Sequence, residues 1–249
     1  MESGQPLIHH LVYATGLHAG AVALSRLFVS PFDRWKVLLQ TSPKTRFPVS
    51  NLLAKSYRGV AYNVCSSVVF VASFSLSQSV MDNSGIAAIS VSRGIATIVS
   101  HPLEVLFTRA AVRATIQSEK VPYRSLYAGI SLGLLGVPFS VMGSLATLSF
   151  LGLVFPLPNV SPPVCSDVDF ARGLGVGSVS ALAGSVFAYP VDTVRRRTMT
   201  GEKLKSAIAR GDFFRGLSVH CFKSVPEMVI LTYGLMCNLR YFTFSIEED

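Results

Sequence analysis

Ionised side chains are scarce in this chain: Asp, Glu, Lys and Arg make up 14% of its 249 residues, against about 25% in typical soluble domains. So few charged groups cannot cover the surface of an ordinary soluble enzyme. The positive mean hydropathy of +0.47 also argues against intrinsic disorder, which requires low hydrophobicity. The composition therefore indicates a membrane protein.

Signals for metal sites, disulfide frameworks and catalysis are missing as well. The five histidines have no metal-ligand spacing, and no Ser-His-Asp or paired-carboxylate pattern is present. We therefore expect no enzyme and no cofactor. The first residues carry no basic n-region, so we expect no secretory signal peptide. Neither a zinc site nor a set of disulfides is indicated, because no CxxC pair occurs among Cys65, Cys165, Cys221 and Cys237.

Positive charge is in excess, with 22 Lys and Arg against 14 Asp and Glu and a formal net charge of +8. In a chain this apolar, the excess suits contact with anionic lipid or an anionic solute rather than with nucleic acid. The basic residues gather at 34–58, 109–124 and 195–215. This clustering predicts that one face of the membrane is strongly positive.

Six apolar stretches approach the ~20 residues that a helix needs to cross a bilayer. Ser, Gly and Ala are mixed into all of them, so none is a clean apolar run. We predict one all-α domain over residues 1–249 with six transmembrane helices. The stretches lie at 7–40, 57–81, 86–113, 126–156, 170–198 and 214–243.

One motif recurs three times, which divides the chain into repeats at about 7–82, 83–157 and 168–243. In each repeat a proline is followed two residues later by an acid, and an aromatic residue then stands two residues before a glycine. The gap from proline to glycine is 28, 27 and 26 residues. The prolines are Pro31, Pro102 and Pro190, and the glycines are Gly59, Gly129 and Gly216.

This pattern resembles the mitochondrial carrier family, whose signature is Pro-x-Asp/Glu-x-x-Lys/Arg at the ends of the odd-numbered helices. Residues 31–40 (PFDRWKVLLQ) and 190–200 (PVDTVRRRTMT) are similar to motifs of the ADP/ATP carriers. The resemblance implies a multi-pass protein of the mitochondrial inner membrane, with three pseudo-symmetric helix pairs around a central cavity. It also implies that both termini face the intermembrane space and that the basic segments face the matrix.

The resemblance further implies a gate at the matrix end of the cavity. In the family, the acid of one repeat forms an ion pair with the base of the next repeat. The alternative is that these charges lie in the lipid headgroup region. The predicted pairs are Asp192 with Lys36 and Glu104 with Arg195.

The third gate pair is incomplete in the sequence. Asp33 should meet a base at position 107, but that residue is Phe107. Arg109 and Arg34 are the nearest basic candidates, although neither occupies the family position. We therefore expect two of the three bridges.

A solute site is implied halfway along the cavity. Arg26 and Lys223 occupy positions where the family binds phosphate, and Gly136-Val137 resembles the small apolar pair that flanks an adenine. The second-helix position, normally arginine, is Ser66. The alternative is a residual basic pair bound to lipid or to a neighbouring acid.

Cardiolipin sites are implied where the even helices begin, because a helix N-terminus suits a phosphate. The second site should be the weakest, since Ala128 replaces the arginine of the other two. The alternative is an aromatic-glycine helix start without lipid. The predicted lipid-binding residues are Tyr57, Arg58, Gly59, Gly129, Phe214, Arg215 and Gly216.

Other departures from the family concern transport itself. The family closes the opposite end of the cavity with aromatic-acid-x-x-base motifs. The corresponding stretches 74–77, 149–152 and 232–235 contain no charge. The gap from proline to glycine is also too short for the usual matrix helix and leaves room for a stub at most.

Two functions remain open. The first is a carrier-fold protein whose transport machinery has degenerated and which serves as a structural, lipid-binding subunit of a large inner-membrane complex, such as a respiratory complex. The second is a working exchanger of adenine nucleotides or another phosphorylated anion, which the basic residues Arg26, Lys223 and 195–197 favour. Phe107, Ser66 and the uncharged second gate favour the first.

Overall fold

A computed structural model describes residues 5–42, 57–81, 85–112, 123–154 and 167–230. These residues are helical or lie in turns and short connections, and no strand occurs among them, which confirms the all-α class. A 3₁₀ turn at Tyr123–Tyr127 precedes the fourth helix. The helices are α1 (Gln5–Thr41), α2 (Val60–Met81), α3 (Ile86–Val112), α4 (Ile130–Val154), α5 (Asp167–Met199), α6 (Leu204–Ala209) and α7 (217–230).

Each of the six predicted apolar stretches contains one long helix, α6 being the short addition. Three of the described helical segments are long enough and apolar enough to cross a membrane: Val60–Met81, Ile86–Val112 and Ser125–Val154. Helices α1 and α5 are longer still, but they carry several charged residues near their C-terminal ends. The chain is therefore a helical protein with at least three membrane-compatible helices.

The helices form a closed ring. Each of α1 to α5 packs against the next helix in the chain. Helix α7 completes the ring: His220 contacts Ser185 of α5 through a 2.8 Å hydrogen bond, and the Phe222 ring lies 5.4 Å from the Phe32 ring of α1. The repeat prolines lie inside α1, α3 and α5, and these helices continue for two to three turns beyond them.

The tightest helix pair is α4 with α5, where glycines allow the backbones to approach. A Cβ atom at Gly143 would lie 2.7 Å from the Phe187 ring, closer than any side chain tolerates. A Cβ atom at Gly184 would collide with Ser144 of α4. Small residues at a helix interface thus permit the close contact that membrane helices need in the absence of a hydrophobic driving force.

The three repeat glycines have a backbone role. Gly59, Gly129 and Gly216 have φ angles of +84°, +78° and +86°, and each directly precedes the second long helix of its repeat. This left-handed conformation is strained for any residue with a Cβ atom. The glycine of each repeat is therefore required by the turn into α2, α4 and α7.

Arginines cap the C-terminal carbonyls of the odd helices in a cyclic arrangement, so that each helix end is bound by a different odd helix. Such carbonyls have no partner within their own helix and carry the negative end of the helix dipole. Arg34 Nε of α1 donates to Ala111 O of α3, Arg109 Nε of α3 to Met199 O of α5, and Arg197 Nε of α5 to Gln40 O of α1, at 3.3, 2.9 and 3.0 Å.

The expected shortening of the segments after the odd helices is visible in the third repeat. Helix α6 has six residues, which fits the predicted stub. Arg210, just after α6, donates to the Thr41 carbonyl at 3.0 Å and so ties this segment to the end of α1. The segments at 43–56 and 113–122 lie outside the described residues.

Candidate functional site

A central cavity of about 500 Å³ lies inside the helix ring. We call the end near the repeat prolines its floor and the opposite end its mouth. Matching positions line it in all three repeats: two residues after the proline stand Asp33, Glu104 and Asp192, and seven residues after the glycine stand Ser66, Gly136 and Lys223.

The first expected ion pair links α1 to α5 at the floor. Lys36 Nζ lies 2.9 Å from Asp192 Oδ2 and 5.0 Å from the centroid of the Tyr189 ring. Gln40, one turn beyond Lys36, donates to Thr193 Oγ1 at 3.2 Å. The Asp192–Lys36 pair predicted from the sequence is therefore present, with an aromatic ring beside the ammonium group.

The second expected pair, Glu104 with Arg195, links α3 to α5. His101 extends it, because its Nε2 donates to the Ala128 carbonyl at 3.1 Å and its Nδ1 then accepts an N–H from Arg195 at 2.9 Å. The guanidinium lies against Gly133, where a Cβ atom would be 3.0 Å from Arg195 Nε. His101, protonated on Nε2, thus links the residue two positions before α4 to Arg195 at the floor.

Asp33 has cationic partners that the sequence interpretation did not assign to it. Lys223 Nζ lies 2.9 Å from Oδ1, Arg26 lies 3.5 Å from Oδ2, and Asn63 donates to Oδ2 at 2.9 Å. Arg109, one of the two candidates offered for this role, donates to the Met199 carbonyl and to Ser125. Two of the three gate bridges are thus present among the described residues, as expected, and Asp33 is bound instead by the two cations predicted to bind a solute.

Glu227 of α7 shares the same two cations. It lies 3.0 Å from Arg26 and 2.9 Å from Lys223, so Arg26, Asp33, Lys223 and Glu227 form one cluster, the Asp33 cluster. Lys223 is buried, with 5% of its side chain exposed. Both cations predicted to bind a phosphate are thus already bound to two carboxylates.

Apolar contact replaces the missing gate base. Phe107, 3% exposed, packs with Val37 of α1 and with Ala111. This is the α1–α3 junction where the family pattern would place a third bridge. Ser66 stands at the second-helix position where the family has an arginine. Its Oγ donates to the Ser100 carbonyl at 3.5 Å, a contact between α2 and α3. Both departures therefore serve helix packing.

The predicted adenine-flanking pair does line the cavity. Gly136 and Val137 belong to the wall contributed by α4, and a Cβ atom at Gly136 would meet Val191 of α5 at 3.8 Å. The small residue at this position therefore keeps α4 close to α5 as well as leaving space in the cavity.

The remaining arginines of the triplet are also bound within the protein. Arg196 lies 3.6 Å from Asp192 and donates to Thr108 Oγ1 at 2.7 Å. Arg197 is 1% exposed, and apart from Gln40 its guanidinium donates to the carbonyls of Ala207, Gly211 and Asp212, at 2.9, 2.8 and 3.1 Å. The triplet therefore acts in ion pairing and helix capping in this structure.

The predicted lipid sites differ in how free their arginines are. Arg215 donates to the Ser42 carbonyl at 2.9 Å and so caps the end of α1. Arg58 lies on the exposed turn before α2. The aromatic residues Tyr57 and Phe214 are about equally exposed, at 58% and 57%. The first site therefore offers the more accessible cation.

Glu227, Asn63 and His101 were not predicted as site residues from the sequence. Glu227 could have been found, because an acid inside an apolar stretch four residues after Lys223 needs a partner. Asn63 and His101 carried no signal of their own, since their roles depend on α1 and α4 coming close to them. The chain matches no protein-family model, and a search of curated proteins finds no match.

Proposed function

We propose that this chain is a carrier-fold protein of the mitochondrial inner membrane, with six transmembrane helices in three pairs, that no longer exchanges solutes. Its role is that of a structural, lipid-binding subunit in a larger inner-membrane complex of respiratory type. The threefold register of cavity-lining positions, the closed helix ring and the two inter-repeat ion pairs support the carrier fold.

The Asp33 cluster is the observation that carries the loss of transport. A phosphate entering the cavity would have to displace Asp33 and Glu227 from Arg26 and Lys223. Both carboxylates would then remain buried, unpaired and close to a third negative charge, at a cost of several kcal/mol. The two cations are therefore better explained as internal partners than as a phosphate clamp.

The two ends of the cavity support the same proposal. Alternating transport needs two states of similar free energy, one for each closed end. Three carboxylates at the floor and Glu227 above them are bound by cations, whereas the stretches 74–77 and 149–152 toward the mouth contain no charged residue. With a bound floor and no charge in these two stretches to form an ion pair at the mouth, the closed floor is the favoured state.

The outer faces of the helices suit lipid or the apolar helices of other subunits. Large hydrophobic residues are exposed around the ring, among them Phe28 of α1 at 70%, Val80 of α2 at 77% and Leu153 of α4 at 85%. Such a belt is costly in water and favourable in a bilayer. It supports a protein embedded in the membrane and held beside other membrane helices.

Transport is tested with purified protein in liposomes. We expect exchange of external labelled ADP or ATP for internal nucleotide at the level of empty liposomes. On a native gel in mild detergent, we expect the chain to migrate with a much larger inner-membrane complex. An ADP/ATP carrier reconstituted in parallel provides the positive control.

The second candidate function is the exchanger, which one observation favours: six cations but only four carboxylates line the cavity. Saturable nucleotide exchange that is lost in Arg26→Ala and Lys223→Ala, in protein that migrates as a free monomer, would establish the exchanger. It would also exclude the structural proposal.

Cardiolipin binding is a separate prediction. We expect Arg58→Ala to reduce the cardiolipin retained in native mass spectrometry and Ala128→Arg to increase it, because each change removes or adds one charge-assisted contact to a phosphate. Arg215 is unsuitable for this comparison, since it also caps α1. Equal lipid retention in both variants and the unmodified protein would contradict the prediction.

A further inference from the structure

Arg93 of α3 differs from every other cation that lines the cavity. It is half-buried and belongs to the cavity wall, yet within the described parts of the chain no acceptor lies within ion-pair or hydrogen-bonding distance of its guanidinium. The other five lining cations each lie within 4 Å of a carboxylate: Arg26, Lys36, Arg195, Arg196 and Lys223.

The fold does not require an arginine at this position. Arg93 stands nine residues before Pro102, and the matching positions before Pro31 and Pro190 are Val22 and Ala181. Both of these also line the cavity. Two of the three repeats thus accept an apolar residue here, so packing of the helix ring does not explain the charge.

Arg93 lies toward the mouth, well above the floor network. Nine residues of helix rise about 14 Å, and long helical side chains lean toward the N-terminus of their helix, which for α3 is the mouth end. The lining residues near this level include the apolar Val22, Phe70, Ala181, Leu182 and Met228 and the polar Ser67, Thr97, Ser140 and Glu227. Arg93 therefore has apolar side chains beside it and no described carboxylate within ion-pair distance.

An arginine with apolar side chains beside it is common in protein-binding hot spots. A guanidinium binds one carboxylate in a bidentate manner. The uncharged stretches 74–77 and 149–152 supply no other cation for such a carboxylate at the mouth ends of α2 and α4.

We propose that the mouth of the cavity receives an acidic segment of a neighbouring subunit, with one Asp or Glu carboxylate bound by Arg93 and apolar side chains on either side of it. This inference rests on the proposed structural role. A tethered carboxylate is favoured over a free anion, because a subunit already held in the complex supplies a high effective concentration.

The test places a photoreactive amino acid at position 181, across the mouth from Arg93, in the intact complex in native membranes. We expect irradiation to yield an adduct with one other polypeptide, and sequencing of the adduct to show an Asp or Glu beside the attachment point. Arg93→Gln should lower the adduct yield about tenfold, whereas Arg93→Lys should retain part of it. Lys205→Gln, which removes an exposed cation of α6, is the control and should leave the yield unchanged.

Exchanging the two charges tests whether Arg93 contacts the partner's acid directly. Arg93→Glu should abolish the adduct, and replacing the partner acid by arginine in the same cells should restore it. An adduct with lipid alone, no adduct in an otherwise intact complex, or an adduct that survives Arg93→Glu overturns this inference and leaves the structural role standing. Migration as a free monomer overturns both.

Discussion

Arg197→Lys is expected to lower the free energy of unfolding by about 3 kcal/mol or more. The Arg197 guanidinium donates to four backbone carbonyls that belong to the end of α1 and to the segment around α6. A lysine ammonium is a compact point donor and cannot match this planar fork. The two buried acceptors, the carbonyls of Gln40 and Ala207, would then lose a charged donor.

The effect is measured as the apparent melting temperature of purified protein in detergent. For a chain of this size, a loss of 3 kcal/mol corresponds to a decrease of about 6–12 °C. Arg210→Lys is the matched control, because Arg210 makes one capping contact to Thr41 and a more exposed pair with Glu202. It should cost less than about 1 kcal/mol. Equal effects of the two substitutions would show that capping by Arg197 is not specific.

Lys223→Met is expected to destabilise the protein by about 3–5 kcal/mol, since it leaves two buried carboxylates with one shared cation in place of two. Lys223 contacts both Asp33 and Glu227 at 2.9 Å. After the change, Arg26 alone faces two negative charges. Melting in the same detergent measures the loss.

A second substitution identifies the cause of that loss. Adding Glu227→Gln to Lys223→Met removes one surplus charge and should recover at least about 1 kcal/mol, a coupling expected only for groups in direct contact. If Lys223 served a solute, Lys223→Met would abolish exchange with little change in stability, and Glu227→Gln would recover nothing. That result would contradict the assignment of Lys223 to the Asp33 cluster.

Positions of the helices followed from the sequence because apolar length is a local property. The stretches 57–81 and 86–113 coincide with α2 (Val60–Met81) and α3 (Ile86–Val112) to within a few residues. The predicted stretches 7–40 and 170–198 likewise extend past the repeat prolines, and α1 and α5 end at Thr41 and Met199. The backbone carbonyls that proline leaves unpaired did not stop these helices.

Two of the ion pairs were also predicted, from the resemblance of the repeats to the carrier motif. In that family the acid of one repeat pairs with the base of the next, and Asp192, Lys36, Glu104 and Arg195 occupy the motif positions. The partners of Asp33 did not follow, because Lys223 and Glu227 lie outside that motif. Only the docking of α7 against α1 brings them to Asp33.

The sequence by itself determined the helical class, the membrane character, the three repeats and the acids and bases of the motif, all of which depend on composition and on spacing along the chain. Tertiary structure alone decided what the basic residues do. Basic clusters interpreted as a positive membrane face include Arg34, Arg109 and Arg197, which cap other helices, and the two cations assigned to a solute bind Asp33 and Glu227. A guanidinium or ammonium group takes the nearest acceptor in space, and distance in space is set by how the helices pack.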